Sequence, residues 1–176
     1  MKGSRNDSRL EGTGELLAPP SQAMNSQVAA SPQLLMPVRL DPTLQRIWVR
    51  SQMSAWTTLA IIGSSAKIPE GTMSVARGLA RVAAESGGGL GLIDGRNLEL
   101  KHLAQVQARL RSTVARQTVV VLPLPKENPV TVSVAQACDA AIMCIVLGET
   151  SQVVAAQSVE QIGRDRFLGT VILRPR

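Results

Sequence analysis

The residues best placed to do chemistry stand just after the apolar runs of this chain: Gly63–Gly71, Asp94–Arg96, Leu122–Pro125 and Gly148–Thr150. Each follows a stretch that reads as a strand, and open α/β sheets take their ligands at the carboxyl ends of strands. The first is a glycine-containing loop between a strand and a helix, an arrangement that can hold phosphate. That chemistry has three requirements. Glycines let backbone N–H groups wrap the phosphate, a Lys reaches the terminal phosphates, and a following Ser or Thr hydroxyl ligates magnesium. The stretch from Leu59 to Asp94 supplies the strand–turn–helix–turn–strand frame of a nucleotide-binding unit, but most of the gripping residues are missing.

The elements that position these loops alternate between strand and helix. Asp41-Pro42 is a helix start, with Asp as N-cap and Pro at the first helical position. Leu44, Ile47, Trp48 and Met53 share one face of that helix. Strands are predicted at 57–62, 90–93, 118–122, 140–147 and 167–173. Gly63–Gly71 is expected to be loop, followed by a helix from Thr72 to Glu85 that buries Val75, Leu79 and Val82 and ends at Gly87-Gly88-Gly89. Leu98–Arg116 is an amphipathic helix with Leu103, Val106, Leu110 and Val114 as its apolar stripe. Further helices are predicted at 130–137 and 151–162, after a proline-rich loop over Pro123–Pro129. Continuously apolar strands alternating with helices imply a mostly parallel sheet covered on both faces. Residues 1–38 are rich in Ser, Gly, Pro, Asn and Gln and are expected to form a disordered or peptide-like tail, with 39–176 as the folded domain. Leu34, Leu35, Met36 and Val38 form an apolar island in the tail, expected to dock on the domain, with a partner-binding peptide as the alternative.

Composition narrows the function classes. The aromatic residues are Trp48, Trp56 and Phe167, with no Tyr, so base stacking on aromatic side chains is nearly unavailable. The net charge is +6, and between Arg96 and Lys126 six bases face one acid, Glu99. These bases form a solvated face first and a patch for nucleic acid or anionic membrane second. Cys138 and Cys144 lie in an apolar run, match no metal spacing, have only His102 as a histidine in the chain, and read as reduced core residues. No apolar run approaches the ~20 residues of a membrane span, and the polar N-terminus lacks a secretory apolar segment. The expected location is cytoplasmic, with peripheral attachment to the inner membrane only through a partner.

Residues 57–173 resemble the cytoplasmic domain of the bacterial tyrosine autokinases of exopolysaccharide production, relatives of the partitioning and division-site ATPases. The family's first motif, S-A-x-P-G-E-G-K-[ST]-[ST]-x-A-x-N-L-A, lies over Ser65–Ala80 without a gap, and Glu70, Gly71, Ala76, Leu79 and Ala80 match. The departures fall on the chemistry: Thr72 stands for the phosphate lysine and Met73 for the magnesium hydroxyl. Asp94 of the second motif is kept, but its second acid is Arg96. The acid that ends the third motif's strand is Leu122. Cys138–Ala141, Gly148–Ser151 and Phe167–Leu173 fit the later part in outline, with Arg174 where the family has Asn. The resemblance implies a P-loop-NTPase-like fold. Without the Lys, the hydroxyl and the strand-end acid, magnesium and the transferring phosphoryl lose their protein partners.

The first expectation is therefore a catalytically inactive relative, a scaffold or regulator of exopolysaccharide biosynthesis that uses no cofactor. The resemblance implies as partner a polysaccharide co-polymerase or another envelope polysaccharide-assembly protein, with the 41–53 helix as a candidate contact and self-association also open. The second is an atypical ATPase or nucleotide switch that binds ATP and magnesium. It would use Lys67, at the position of the partitioning ATPases' second lysine, together with Gly71, Thr72 and Asp94. Arg96 either offers charge to a phosphate or pairs with Asp94 and fills the site. The third is a nucleic-acid or membrane binder using Arg109, Arg111 and Arg116, which the scarcity of aromatics disfavours for nucleic acid.

Overall fold

Strands that are apolar on both sides need cover on both sides. The structure is a computed structural model that describes residues 41–63, 69–112 and 117–174, and it meets that requirement with one parallel sheet. Its strands are β1 (Thr58–Ile62), β2 (Gly91–Asp94), β3 (Thr118–Leu122), β4 (Ala140–Val146) and β5 (Phe167–Leu173), in the order β2-β3-β1-β4-β5. Every neighbouring pair is parallel.

Successive side chains of a strand point to opposite faces. Leu59 and Ile61 of β1, with Val119 and Val121 of β3, meet α1 (Pro42–Gln52) and α2 (Pro69–Glu85). Ala60, Ile62, Val120 and Leu122 meet the opposite layer, α3 (Leu103–Ser112), α4 (Val130–Gln136) and α5 (Gln152–Ile162). The division follows from handedness. The chain leaves β1 toward β2 in one direction, then steps from β2 to β3, β4 and β5 in the other. Right-handed crossovers put the helices of opposite steps on opposite faces. The reversal falls at the carboxyl end of β1, where a crevice for a ligand forms in such sheets.

Local signals set the helix ends. The Asp41 carboxylate accepts a hydrogen bond from the Thr43 backbone N–H at 2.8 Å, and Pro42 opens α1. Three expectations are corrected. Met53 is not on the packed face of α1: it lies just past the helix end and is 85% exposed. Helix α2 starts at Pro69 rather than Thr72, so Gly71 is helical. Leu100–His102 is a 3-10 turn that precedes α3, in which Leu110 is buried while Leu103 and Val106 are half-buried. The tail with its Leu34–Val38 island, Lys67, Val114 and Arg116 lie outside the described residues.

At the amino end of the sheet Asp139 fastens β1 to β4. Its Oδ2 accepts the backbone N–H groups of Thr57 and Thr58, both at 2.8 Å, and the Thr58 hydroxyl at 3.0 Å. Trp48 and Trp56 meet edge to face with ring centroids 6.2 Å apart. The Trp56 indole N–H donates to the Ser51 carbonyl at 2.9 Å, which ties the end of α1 to the approach to β1. Cys138 and Cys144 are buried free thiols. Burial pushes both up to about 12, and Asp139 adds to the effect at Cys138.

Candidate functional site

The carboxyl ends of β1, β2 and β3 are drawn together by backbone hydrogen bonds. The Gly63 N–H donates to the Leu122 carbonyl and the Gly95 N–H to the Val121 carbonyl, both at 2.8 Å. Glycine is needed at 95, because a Cβ there would sit 2.9 Å from the Leu122 side chain and 3.0 Å from the Val121 carbonyl oxygen. The loop that leaves β1 thus begins against the end of β3, and α2 begins above them.

Thr72 and Met73 lie in the first turns of α2 and are buried with it. The stripe Thr72, Ala76, Leu79 and Ala83 has helical spacing and is buried throughout. Met73 packs in the cluster that contains Leu59, Ile61 and Val121. The Thr72 hydroxyl lies so near Gly63 that a Cβ on that glycine would be 2.9 Å from it. Both positions therefore serve the packing of α2 on the sheet. Leu122, the third departure, is 1% exposed and belongs to the opposite core layer.

Asp94 ends β2, and its partner is the guanidinium two residues on. Arg96 Nε donates to Asp94 Oδ1 at 2.9 Å and Arg96 Nη2 to Asp94 Oδ2 at 2.7 Å, a two-pronged bond suited to the planar fork of Arg. The Arg96 backbone N–H adds a bond of 3.2 Å to Oδ1. Arg96 Nη1 donates to Glu70 Oε1 at 2.9 Å, and Arg77 lies 3.8 Å from the other Glu70 oxygen. Two acids and two bases balance across the mouth formed by α2 and β2. Arg96 is the most sheltered of them, with its side chain 22% exposed against 48% for Asp94 and 68% for Glu70.

The electrostatics follow this geometry. The bond from Arg96 holds the Asp94 carboxyl below its ordinary value, against a smaller upward push from burial. The two carboxylates raise Arg96 above its already high value. A cation so engaged is costly for an incoming phosphate to recruit, because two acids must release it. Among the described residues no group of three His, Cys, Asp or Glu stands together to hold a metal ion.

Of the predicted site residues, Gly71 and Thr72 are in the first turns of α2 and Asp94 is at the end of β2. Lys67 lies outside the described residues. The network joins Asp94 to the start of α2 through Glu70, a residue that sequence reasoning noted only as a motif match. Its signal was available: an acid beside Gly71, and a base where the motif's second acid would stand near it.

No family model matches this chain, and no curated protein matches it. Among solved structures the chain is similar to the crystal structure of the chimerical protein CapA2B2, with TM-score 0.55 and 12% identity, over 73% of this chain and 82% of that one. It is also similar to the BceF tyrosine kinase domain, with TM-score 0.47 and 12% identity, over 74% of this chain and 73% of that one. At this identity the likeness is one of fold, and the fold is the α/β, P-loop-NTPase-like arrangement of parallel strands between two helical layers.

Proposed function

We propose that this chain is a catalytically inactive relative of the polysaccharide-pathway tyrosine autokinases, acting as a scaffold or regulator in exopolysaccharide biosynthesis. The observation that carries the proposal is the Arg96 clamp: one guanidinium holds both Asp94 and Glu70 across the edge where nucleotide phosphates would lie. The burial of Thr72 and Met73 supports it. In this reading the chain uses neither nucleotide nor metal, and its work is done by binding an envelope polysaccharide-assembly protein. The pathway rests on the motif resemblance.

Thermal unfolding with and without millimolar ATP or ADP, each with and without magnesium, tests the reading. A ligand that binds the folded state raises its stability by about 2.7 kcal/mol at a hundred times its Kd. The expected result is no shift under any condition. A shift that Lys67→Ala abolishes overturns the proposal in favour of a nucleotide switch built on Lys67, Gly71, Thr72 and Asp94. Pull-down of the full chain is expected to recover an envelope polysaccharide-assembly protein.

A further inference from the structure

Far from the nucleotide edge, β5 closes the sheet with β4 on one side and no described strand on the other. The Leu147 N–H donates to the Leu173 carbonyl at 3.0 Å, so Leu173 points its backbone groups toward β4. By strand alternation, Thr170 and Ile172 point theirs away from the sheet. Exposed edges are normally blunted by charge, proline, a bulge or short length. Phe167–Leu173 has seven residues, no charge and no proline. It carries a bulge near its amino end, at Leu168 and the positive-φ Gly169, where the register to β4 slips between Ala141 and Ile142, and from Gly169 to Leu173 its register to β4 is regular. The other edge strand, β2, has four residues.

On the face of the sheet next to this edge lies a groove with a cavity of about 290 Å³, lined by Arg46 and Arg50 of α1, Ile142 of β4 and Leu168–Val171 of β5. Neither α1 nor β5 contains an acidic residue. Among the described residues neither Arg46 nor Arg50 makes a salt bridge. The two arginines are one helical turn apart, a rise of about 6 Å. Alternate residues of a strand repeat at about 6.6 Å. Acids at positions i and i+2 of an extended segment therefore have nearly the same spacing as the arginine pair.

We infer that β5 and α1 form a docking site for an extended acidic peptide segment of a partner protein, which adds to the outer edge of β5 and sets alternate carboxylates against Arg46 and Arg50. Main-chain bonds give such additions affinity, and alternate side chains give them specificity. A second copy of this chain is a poor occupant, because its own β5 has no acid to offer and would bring two more arginines. The inference rests on β5 and α1 alone and is independent of the state of the nucleotide edge.

Fluorescence anisotropy on the full chain tests it, with a short labelled peptide alternating glutamate with valine and threonine as probe. Saturable binding is expected, weakened about tenfold or more by the double variant Arg46→Glu, Arg50→Glu, a change of rim charge on an exposed helix face. The same peptide N-methylated at alternate residues, which cannot complete the main-chain ladder, is expected to lose binding equally. No saturable binding overturns the proposal, as does binding that survives either change. Equal, equally charge-sensitive binding of single-stranded DNA would make this a general anion surface and also overturn it. Dimerisation that the arginine reversal leaves intact would assign the edge to a second copy instead.

Discussion

Two aspartates at opposite ends of the sheet both titrate below the ordinary range, and they are held in opposite ways. Asp139 partly resists ionisation through burial, but two backbone N–H groups, the Thr58 hydroxyl and the nearby Arg166 more than offset that. Its backbone donors belong to Thr57 and Thr58, at the entry to β1, and cannot leave without undoing that entry. Asp94 is held by a side chain, and a side chain can swing away. The depressed value alone therefore does not separate an acid fixed by backbone donors from one held by a side chain; the identity of the donor does.

Removing the acid at the amino end should cost most. Asp139→Ala removes the shared acceptor of two backbone N–H groups and the Thr58 hydroxyl and is expected to lower stability by about 2 kcal/mol, read from urea unfolding at neutral pH. Asp139→Asn should recover part of the loss. A cost within error of zero would break the contrast between the two ends.

Acid titration sharpens it further. Both carboxyls lie below 3.8 in the folded chain, so the unfolded chain takes up protons first as the pH falls. The stability they contribute is complete above the unfolded value and is lost as the pH falls through the folded values. The urea midpoint of the wild type should decline below about pH 5, and that of Asp139→Asn should decline less steeply. Parallel curves would mean that Asp139 does not carry the dependence.

The smallest effect is expected at the carboxyl end. Arg96→Ala removes a half-exposed pair and should cost less than about 1 kcal/mol. The difference from wild type should shrink in molar salt, which screens such pairs to about 3 Å. A larger, salt-independent loss would mean that Arg96 is fixed as firmly as Asp139.

Much of this was legible in the sequence because the signals were local. The run Thr118–Leu122 is a strand within the predicted bounds, and Asp41-Pro42 caps a helix as its residue types require. The start of α2 was misplaced because Pro69 and Gly71 read as loop residues, yet proline is accepted in a first turn. Thr72 stands at helical spacing from Ala76, Leu79 and Ala83, so its place on the buried stripe follows from the helix predicted from Thr72 onward, and the missed turn hides only that Gly71 is helical. The Asp94–Arg96 pair spans two residues and could be anticipated. Its link to Glu70 spans 26 residues and depends on β2 lying beside β3 rather than β1. Periodicity does not encode strand order, so the place of β5 at the end of the described sheet was equally hidden.

The Trp48–Trp56 contact makes the molecule unusual to a spectroscopist. The chain has no other tryptophan and no tyrosine, so its intrinsic emission arises from a single seam, where α1 meets the approach to β1. Far-ultraviolet dichroism follows the whole sheet and its helices, while emission follows that seam. Comparing the two signals separates detachment of α1 from melting of the domain, without any label.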